Sequence, residues 1–101
     1  MSDEVDLLEQ YEEVSKLFSA LSSPVRCALV NRICEGYCTV SEFVEILGLS
    51  QPLISQHLKV LREAQIVVPE RHGRSIHYHL KDEHVAHVFK DAYAHTQEEE
   101  S

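Results

Sequence analysis

The sequence lacks the features that mark exported and membrane proteins. No apolar run approaches the roughly 20 residues that a transmembrane helix needs. The N-terminus carries Asp3, Glu4 and Asp6, whereas a secretory signal begins with basic residues. The three cysteines are an odd number in a chain of 101 residues, which argues against a disulfide framework. We therefore expect a cytoplasmic protein with reduced thiols and no membrane partner.

Basic residues are also scarce, since 9 Lys and Arg stand against 17 Asp and Glu, for a formal net charge of −8. Nucleic-acid phosphates favour basic partners, so this balance argues at first sight against DNA binding. The acidity belongs to the ends, however. Residues 22–81 hold seven basic and five acidic side chains, a net of +2, which leaves −10 for the two ends. A mildly basic centre between acidic ends is compatible with a protein that contacts DNA through its middle.

Apolar residues recur at three-to-four-residue spacing in five segments, which predicts five helices. Capping residues, helical prolines and glycines set their limits. The predicted helices run from Leu7 to about Ser22, from Pro24 to Gly36, from a Thr39 cap to Gly48, from a Ser50 cap to about Glu63, and from an Asp82 cap to about Glu98.

Between the fourth and fifth helices the apolar period changes from 3.6 to 2. Residues 66–71 and 75–80 are rich in Val, Ile and Tyr and flank His72-Gly73-Arg74, a pattern typical of a β-hairpin. The order predicts a mainly α fold with a small β-hairpin (α+β): a winged helix-turn-helix of five helices and a two-stranded wing. We expect one domain over residues 7–98, a flexible acidic N-terminus (1–6) and an acidic tail (99–101).

The fourth helix is amphipathic, with its polar residues on one arc. Gln and Ser near the N-terminus of such a helix can reach base edges in the major groove, and basic residues farther along can contact phosphate. His57 lies inside the apolar arc and is expected to pack there. The wing turn adds two arginines. The predicted DNA-binding residues are Gln51, Ser55, Gln56, Lys59, Arg62, Arg71 and Arg74.

Residues 49–64 (LSQPLISQHLKVLREA) resemble the reading-helix signature of ArsR/SmtB-type metalloregulatory repressors, and residues 71–78 (RHGRSIHY) resemble their Arg-x-Gly-Arg-x-x-x-Tyr wing. The resemblance covers most of the chain from about Leu17. It implies a homodimer, joined through the N- and C-terminal helices, that binds double-stranded operator DNA without metal and dissociates when metal binds. Metal efflux or resistance genes would then be derepressed. One departure is Gln65, where many members have a helix-ending glycine.

The last helix and its cap offer metal ligands in Asp82, His84, His95 and Glu98. His84 and His95 are eleven residues apart, roughly 16 Å of helix rise, so one helix cannot close a site with bonds of about 2 Å. Two copies packed antiparallel about a two-fold axis can close two sites. Two imidazoles and two carboxylates suit Zn(II), with Co(II) as a substitute.

The family resemblance extends to this site, because its metalloregulators carry an Asp-x-His followed by His-x-x-Glu or His-x-x-His on the last helix. It also implies an allosteric route, in which the second ring nitrogen of His95 donates a hydrogen bond to the backbone carbonyl near Gln65.

Other interpretations stay open at this stage. His87 and Asp91 share the face of His84 and His95, so a single-helix pair, either His87 with Asp91 or Asp91 with His95, competes with the intersubunit set. The wing histidines His72, His77 and His79 are interpreted as exposed or packing residues.

Cys38 is one thiol where thiolate sensors have two. Soft ions such as arsenite, lead or Cu(I), which need thiolates, are therefore not the expected effectors. The alternative is a regulator that responds to thiol oxidation through Cys34 and Cys38, or to Co, Ni or Cd. An enzyme is not expected, because neither a His-Glu-x-x-His run nor a Gly-rich phosphate loop occurs.

Overall fold

The computed structural model describes residues 7–98 of the chain. It confirms five helices and a two-stranded antiparallel wing. In chain order the elements are α1 (Glu12–Leu21), α2 (Pro24–Cys34), α3 (Val40–Leu47), α4 (Gln51–Glu63), β1 (Val67–His72), β2 (Ser75–Leu80) and α5 (Glu83–Glu98). Among the helices of this part of the chain, none combines the length and apolar character needed to cross a membrane. The predicted acidic end segments, residues 1–6 and 99–101, lie outside the described residues.

The first long helix begins later than the sequence predicts. Residues 7–9 form a helical turn, a turn follows at residues 10–11, and α1 starts only at Glu12. Leu7, Leu8 and Tyr11 are all more than half exposed. Because these apolar side chains have little to pack against within one chain, tertiary contacts do not hold the first turn in register with α1.

The other helices begin at the predicted caps. The side chains of Ser23 and Ser50 accept hydrogen bonds from the third residue after them, and a proline occupies the first turn of both α2 and α4. Thr39 forms a reciprocal capping box with Glu42 at the start of α3. Asp82 accepts a bond of 3.0 Å from the backbone N–H of Val85 and so caps α5. These local hydrogen bonds fix where the chain changes direction.

The turn after α4 places Gln65 in a conformation that glycine usually adopts. Gln65 has φ 60° and is the single non-glycine residue with positive φ in the described part of the chain. Its N–H bonds to the carbonyl of Arg62, and the N–H of Ile66 bonds to the carbonyl of Leu61. These two bonds form a Schellman motif, which normally places glycine at the left-handed position. The fold therefore keeps the glycine conformation without the glycine.

The core forms around the inner face of α4. Ile54, Leu58 and Leu61 are at most 1% exposed. They pack with residues from α1, α2, α3, α5 and the first wing strand, of which the buried members are Ala20, Leu29, Val30, Phe43, Ile66, Val67, Val85 and Phe89. Because α4 is enclosed on this face, its position relative to the other elements is set by apolar packing.

The wing is a regular hairpin with a turn at residues 73–74 and the register Val67↔Leu80 to His72↔Ser75. The backbone bond from Tyr78 N–H to the Cys38 carbonyl, at 2.8 Å, attaches the wing to the helical body, and the bond from Lys81 N–H to the Ile66 carbonyl, at 2.9 Å, closes the base of the hairpin. Alternation along the strands places Glu70 and His72 on one face and Arg71 on the other.

Replacing Gln65 with glycine is expected to stabilise the protein by about 1 kcal/mol, because the left-handed conformation costs a side-chain-bearing residue about that much. Chemical denaturation of Gln65→Gly measures the change. Gln65→Ala is the control, since it removes the amide but keeps the strain. An Ala variant that gains as much stability as the Gly variant would show that the Gln side chain, and not the backbone, is unfavourable.

The capping box of α3 predicts a pH dependence. Hydrogen bonds from the backbone N–H groups of Cys38 and then Thr39, both 2.9 Å, lower the pKa of Glu42 below 4.5. A carboxyl whose pKa is lowered by folding contributes stability above its unfolded pKa and loses it as the pH falls through the folded pKa. The free-energy difference between the wild type and Glu42→Gln, measured by denaturation, should therefore be largest near neutral pH and shrink below about pH 4.5. A difference independent of pH would contradict this assignment.

Candidate nucleic-acid interface and metal positions

The polar arc of α4 faces solvent over its whole length. The five side chains predicted to contact DNA from this helix, Gln51, Ser55, Gln56, Lys59 and Arg62, are all exposed. Their exposure follows from the burial of the opposite face, because a helix packed on one side presents its other side outward. Leu53, which the helical wheel places in the apolar arc, is also 37% exposed. The surface predicted to contact DNA is thus not covered by other parts of the protomer.

His57 packs where its position in the apolar arc predicts. It is half-buried, and its Nδ1 lies 3.2 Å from Nη1 of Arg26. The same guanidinium donates through Nε to the Ala20 carbonyl at 2.6 Å. Arg26 therefore joins the end of α1 to α4, and its charge is engaged inside the protomer.

The wing carries its two arginines at the tip. Arg71 and Arg74 are exposed, and Nη1 of Arg71 lies 3.4 Å from the Gly73 carbonyl. Between α4 and the wing, a groove of about 220 Å³ is lined by Ser55, Leu58, Lys59, Arg62 and Tyr78. Helix and wing thus present Lys59, Arg62, Arg71 and Arg74 to solvent, where basic side chains are able to contact DNA phosphates.

The predicted ligands on the last helix are exposed and separated within one protomer. Asp82, His84, His95 and Glu98 all face solvent. His84 lies near the start of the 16-residue α5 and His95 near its end. Within a single chain, the pair Asp82 and His84 is therefore far from the pair His95 and Glu98, as the helix rise predicts.

An apolar surface lies beside these ligands. Val85 and Phe89 point into the core, whereas Val88 and Tyr93 remain 42% and 47% exposed. A cavity of about 300 Å³ separates α5 from α1 and is lined chiefly by Phe18, Leu21, Val88, Ala92 and Tyr93. Exposed apolar side chains on two adjacent helices are typical of a surface that another protein molecule covers.

A cluster on the wing was missed by the sequence reasoning, which interpreted its histidines as exposed or packing residues. The ligand atoms of Glu70, His72 and His79 lie within 4.8 Å of one another. The hydrogen bond from His72, followed by the charges of the neighbouring histidines, lowers the pKa of Glu70. The predicted three-residue turn at residues 72–74 concealed the cluster, because the observed two-residue turn at residues 73–74 is what places residues 70, 72 and 79 on one face.

Two of the cysteines lie in surroundings that disfavour the thiolate form. All three are free and half-buried. Burial raises the pKa of Cys34, and burial followed by the nearby charge of Glu42 raises the pKa of Cys38. Cys27 donates to the Leu21 carbonyl at 3.0 Å. A raised pKa keeps the thiol protonated, whereas soft metal ions and oxidants react with the thiolate.

Comparison with known proteins decides the family. The model described as "Bacterial regulatory protein, arsR family" matches residues 23–68, which include α2, α3 and α4. The chain is 44% identical over 91 residues to the HTH-type transcriptional repressor SmtB of Mycobacterium tuberculosis, an alignment that covers 90% of this chain and 67% of that repressor. The chain belongs to the ArsR family of bacterial regulatory proteins. It is accordingly a winged helix-turn-helix transcriptional regulator and not an enzyme.

Solved structures agree with this ArsR-family fold. The solution structure of the homodimeric winged helix-turn-helix DNA-binding domain Mb0332 from Mycobacterium bovis superposes with a TM-score of 0.84 at 22% identity, over 97% of this chain and 89% of that one. The cadmium metal-sensor CmtR of Mycobacterium tuberculosis superposes with a TM-score of 0.65 at 34% identity, over 73% of this chain and 76% of that one.

The ArsR-family interface makes separable predictions for its two kinds of contact. Lys59→Ala or Arg71→Ala should weaken binding to all DNA sequences alike. Each should also make the slope of log binding constant against log salt concentration shallower by about 0.9 per lost phosphate contact. Gln51→Ala or Gln56→Ala should instead cost about 1–3 kcal/mol of discrimination at one base pair. Fluorescence anisotropy on operator and scrambled duplexes, over a salt series, measures both quantities.

Lys16→Ala is the matched control for these measurements, because Lys16 is an exposed lysine on α1, paired with Glu13 at 3.7 Å. Its removal should leave binding and salt dependence unchanged. Equal losses for Lys16→Ala and Lys59→Ala would mean that α4 is not the contact surface.

Proposed function

We propose that this ArsR-family protein is a metal-responsive repressor that binds operator DNA as a dimer and dissociates when Zn(II) binds between its subunits. The observation that carries the proposal is the outer surface of α5 and its cap, where the four exposed candidate ligand side chains border exposed apolar residues. In a dimer one such surface can supply both the contact and the ligands. The similarity to a transcriptional repressor supports this direction of control.

Dimer formation would bury the apolar surface between α1 and α5. Phe18, Val88 and Tyr93 would leave water, and because each is about half exposed in the protomer, each favours association by about half of the 1.5–3 kcal/mol that full burial gives. The helical turn at residues 7–9, with its exposed leucines, lies at the start of the same N-terminal helical region and could be held there by the second protomer. A two-fold axis would set the two α4 helices at the separation of two half-sites about one turn of DNA apart.

The same symmetry would complete two metal sites. With the α5 helices antiparallel, Asp82 and His84 of one protomer come beside His95 and Glu98 of the other. Two imidazole nitrogens and two carboxylate oxygens form a tetrahedral donor set for Zn(II), and Co(II) can substitute. The similarity to a cadmium sensor supports a divalent metal effector. The raised pKa values of Cys34 and Cys38 favour this nitrogen and oxygen site over a thiolate site or a response to oxidation.

A short path would couple the metal to the reading helix. Gln65, at the end of α4, and Asp82, at the cap of α5, line one cavity of about 510 Å³ together with residues of α1. A metal-bound His95 could donate its second N–H to the carbonyl near Gln65, where the chain leaves α4. Metal would then stabilise a dimer whose reading helices no longer match the operator, so metal and DNA would weaken each other's binding. Release of the operator would allow transcription of metal efflux or resistance genes in the cytoplasm.

The proposal predicts that stoichiometric Zn(II) weakens operator binding at fixed salt by about 5–150-fold, the usual range of allosteric coupling. His95→Ala should remove this response while the metal-free variant binds operator as the wild type does. Anisotropy titrations with and without zinc measure both quantities.

His87→Ala is the control on the same helix, because His87 belongs to the competing single-helix set. It should keep the zinc response. A response lost in His87→Ala but retained in His95→Ala would place the metal on one helix and refute the intersubunit site.

A further inference from the structure

The wing presents a second set of ligands that has no place in the function proposed above. The hairpin register pairs Glu70 with His77 and His72 with Ser75, and it places His79 opposite Val68. Side chains of residues 70, 72, 77 and 79 therefore extend from one face of the two-stranded sheet. Residues diagonal to each other on such a face are about 7–8 Å apart at their Cα atoms, a separation that long side chains can bridge.

The ligand atoms already converge. His72 Nε2 lies 2.6 Å from Glu70 Oε1, and His79 Nε2 lies 3.5 Å from the same oxygen. In a tetrahedral site with bonds of about 2.0–2.2 Å, neighbouring ligand atoms are roughly 3.3–3.6 Å apart. The side chains are 50% exposed for each histidine and 61% for the glutamate, so small rotations can bring the three atoms to these separations.

Neighbouring groups hold the cluster in place. The ring of His72 stacks on that of His77 with centroids 4.3 Å apart, and Nδ1 of His77 lies 3.5 Å from Sγ of Cys38. The backbone bond between Tyr78 and Cys38 fixes β2 against the helical body at the same point. Groups that orient ligands in this way increase the affinity of a metal site.

We infer that this face of the wing binds one divalent transition-metal ion of the zinc class, through His72, His79 and Glu70, with water as the fourth ligand. Imidazole and carboxylate ligands suit Zn(II), and the ion would replace the proton shared between His72 and Glu70. All three ligands come from one protomer, so the site does not require a dimer. The ion would join β1 to β2, and its two ligands on β1, Glu70 and His72, flank Arg71. The Arg71 side chain extends from the opposite face of the wing, toward the predicted DNA-contacting surface.

Zinc stoichiometry tests the inference, because the wing site and the proposed intersubunit site can be removed separately. In equilibrium dialysis we expect two zinc ions per protomer for the wild type, one for His84→Ala/His95→Ala, one for His72→Ala/His79→Ala and none for the fourfold variant. Ser75→Ala, which changes a non-ligand on the same face of the wing, should bind as the wild type does. Circular dichroism of each metal-free variant confirms folding.

The outcomes distinguish the two sites. If the wild type and His84→Ala/His95→Ala each bind one ion and His72→Ala/His79→Ala binds none, the wing site stands and the intersubunit site fails. If His84→Ala/His95→Ala binds no zinc, or if the wing variant binds as many ions as the wild type, the wing inference is wrong. In the His84→Ala/His95→Ala background, zinc should also raise the melting temperature, and the added Glu70→Gln change should reduce that increase.

Discussion

The rest of the structure depends on the apolar packing that buries one face of α4. Ile54, Leu58 and Leu61 are enclosed by α2, α3 and the start of the wing, so the helix has one orientation in the protomer. Its polar face is exposed as a consequence, and the wing leaves its C-terminal end through the strained turn at Gln65. The orientation of the predicted DNA-contacting surface and the position of the turn at Gln65 are therefore set by the same apolar contacts.

The length of α5 imposes the second constraint. An α-helix of 16 residues is stiff, and it keeps His84 and His95 roughly 16 Å apart whatever the rest of the chain does. Ligands at that separation serve a metal only if a second molecule supplies the missing half. Under the proposed function, metal binding would therefore depend directly on the geometry of the dimer.

The features that could be predicted from the sequence were those determined by residues close to one another in the sequence. The caps at Thr39, Ser50 and Asp82 and the polar arc of α4 depend on residues within a turn or two, and the structure confirms them. The start of α1 was wrong because its first apolar residues lack packing partners within one chain. The wing cluster needed the pairing of β1 with β2 before Glu70 and His79 could be recognised as neighbours. The intersubunit site remains a prediction, since one protomer holds only half of each ligand set.

Complementation between two inactive variants tests the central claim most directly. In a background of His72→Ala/His79→Ala, homodimers of His84→Ala and of His95→Ala should each lose tight zinc binding, because both of their sites are broken. In a mixed dimer one site loses both histidines and the other keeps both. After the two variants are unfolded and refolded together, equilibrium dialysis should recover one tightly bound zinc ion per mixed dimer. A mixture that binds no more zinc than the separate variants would contradict a site shared between subunits.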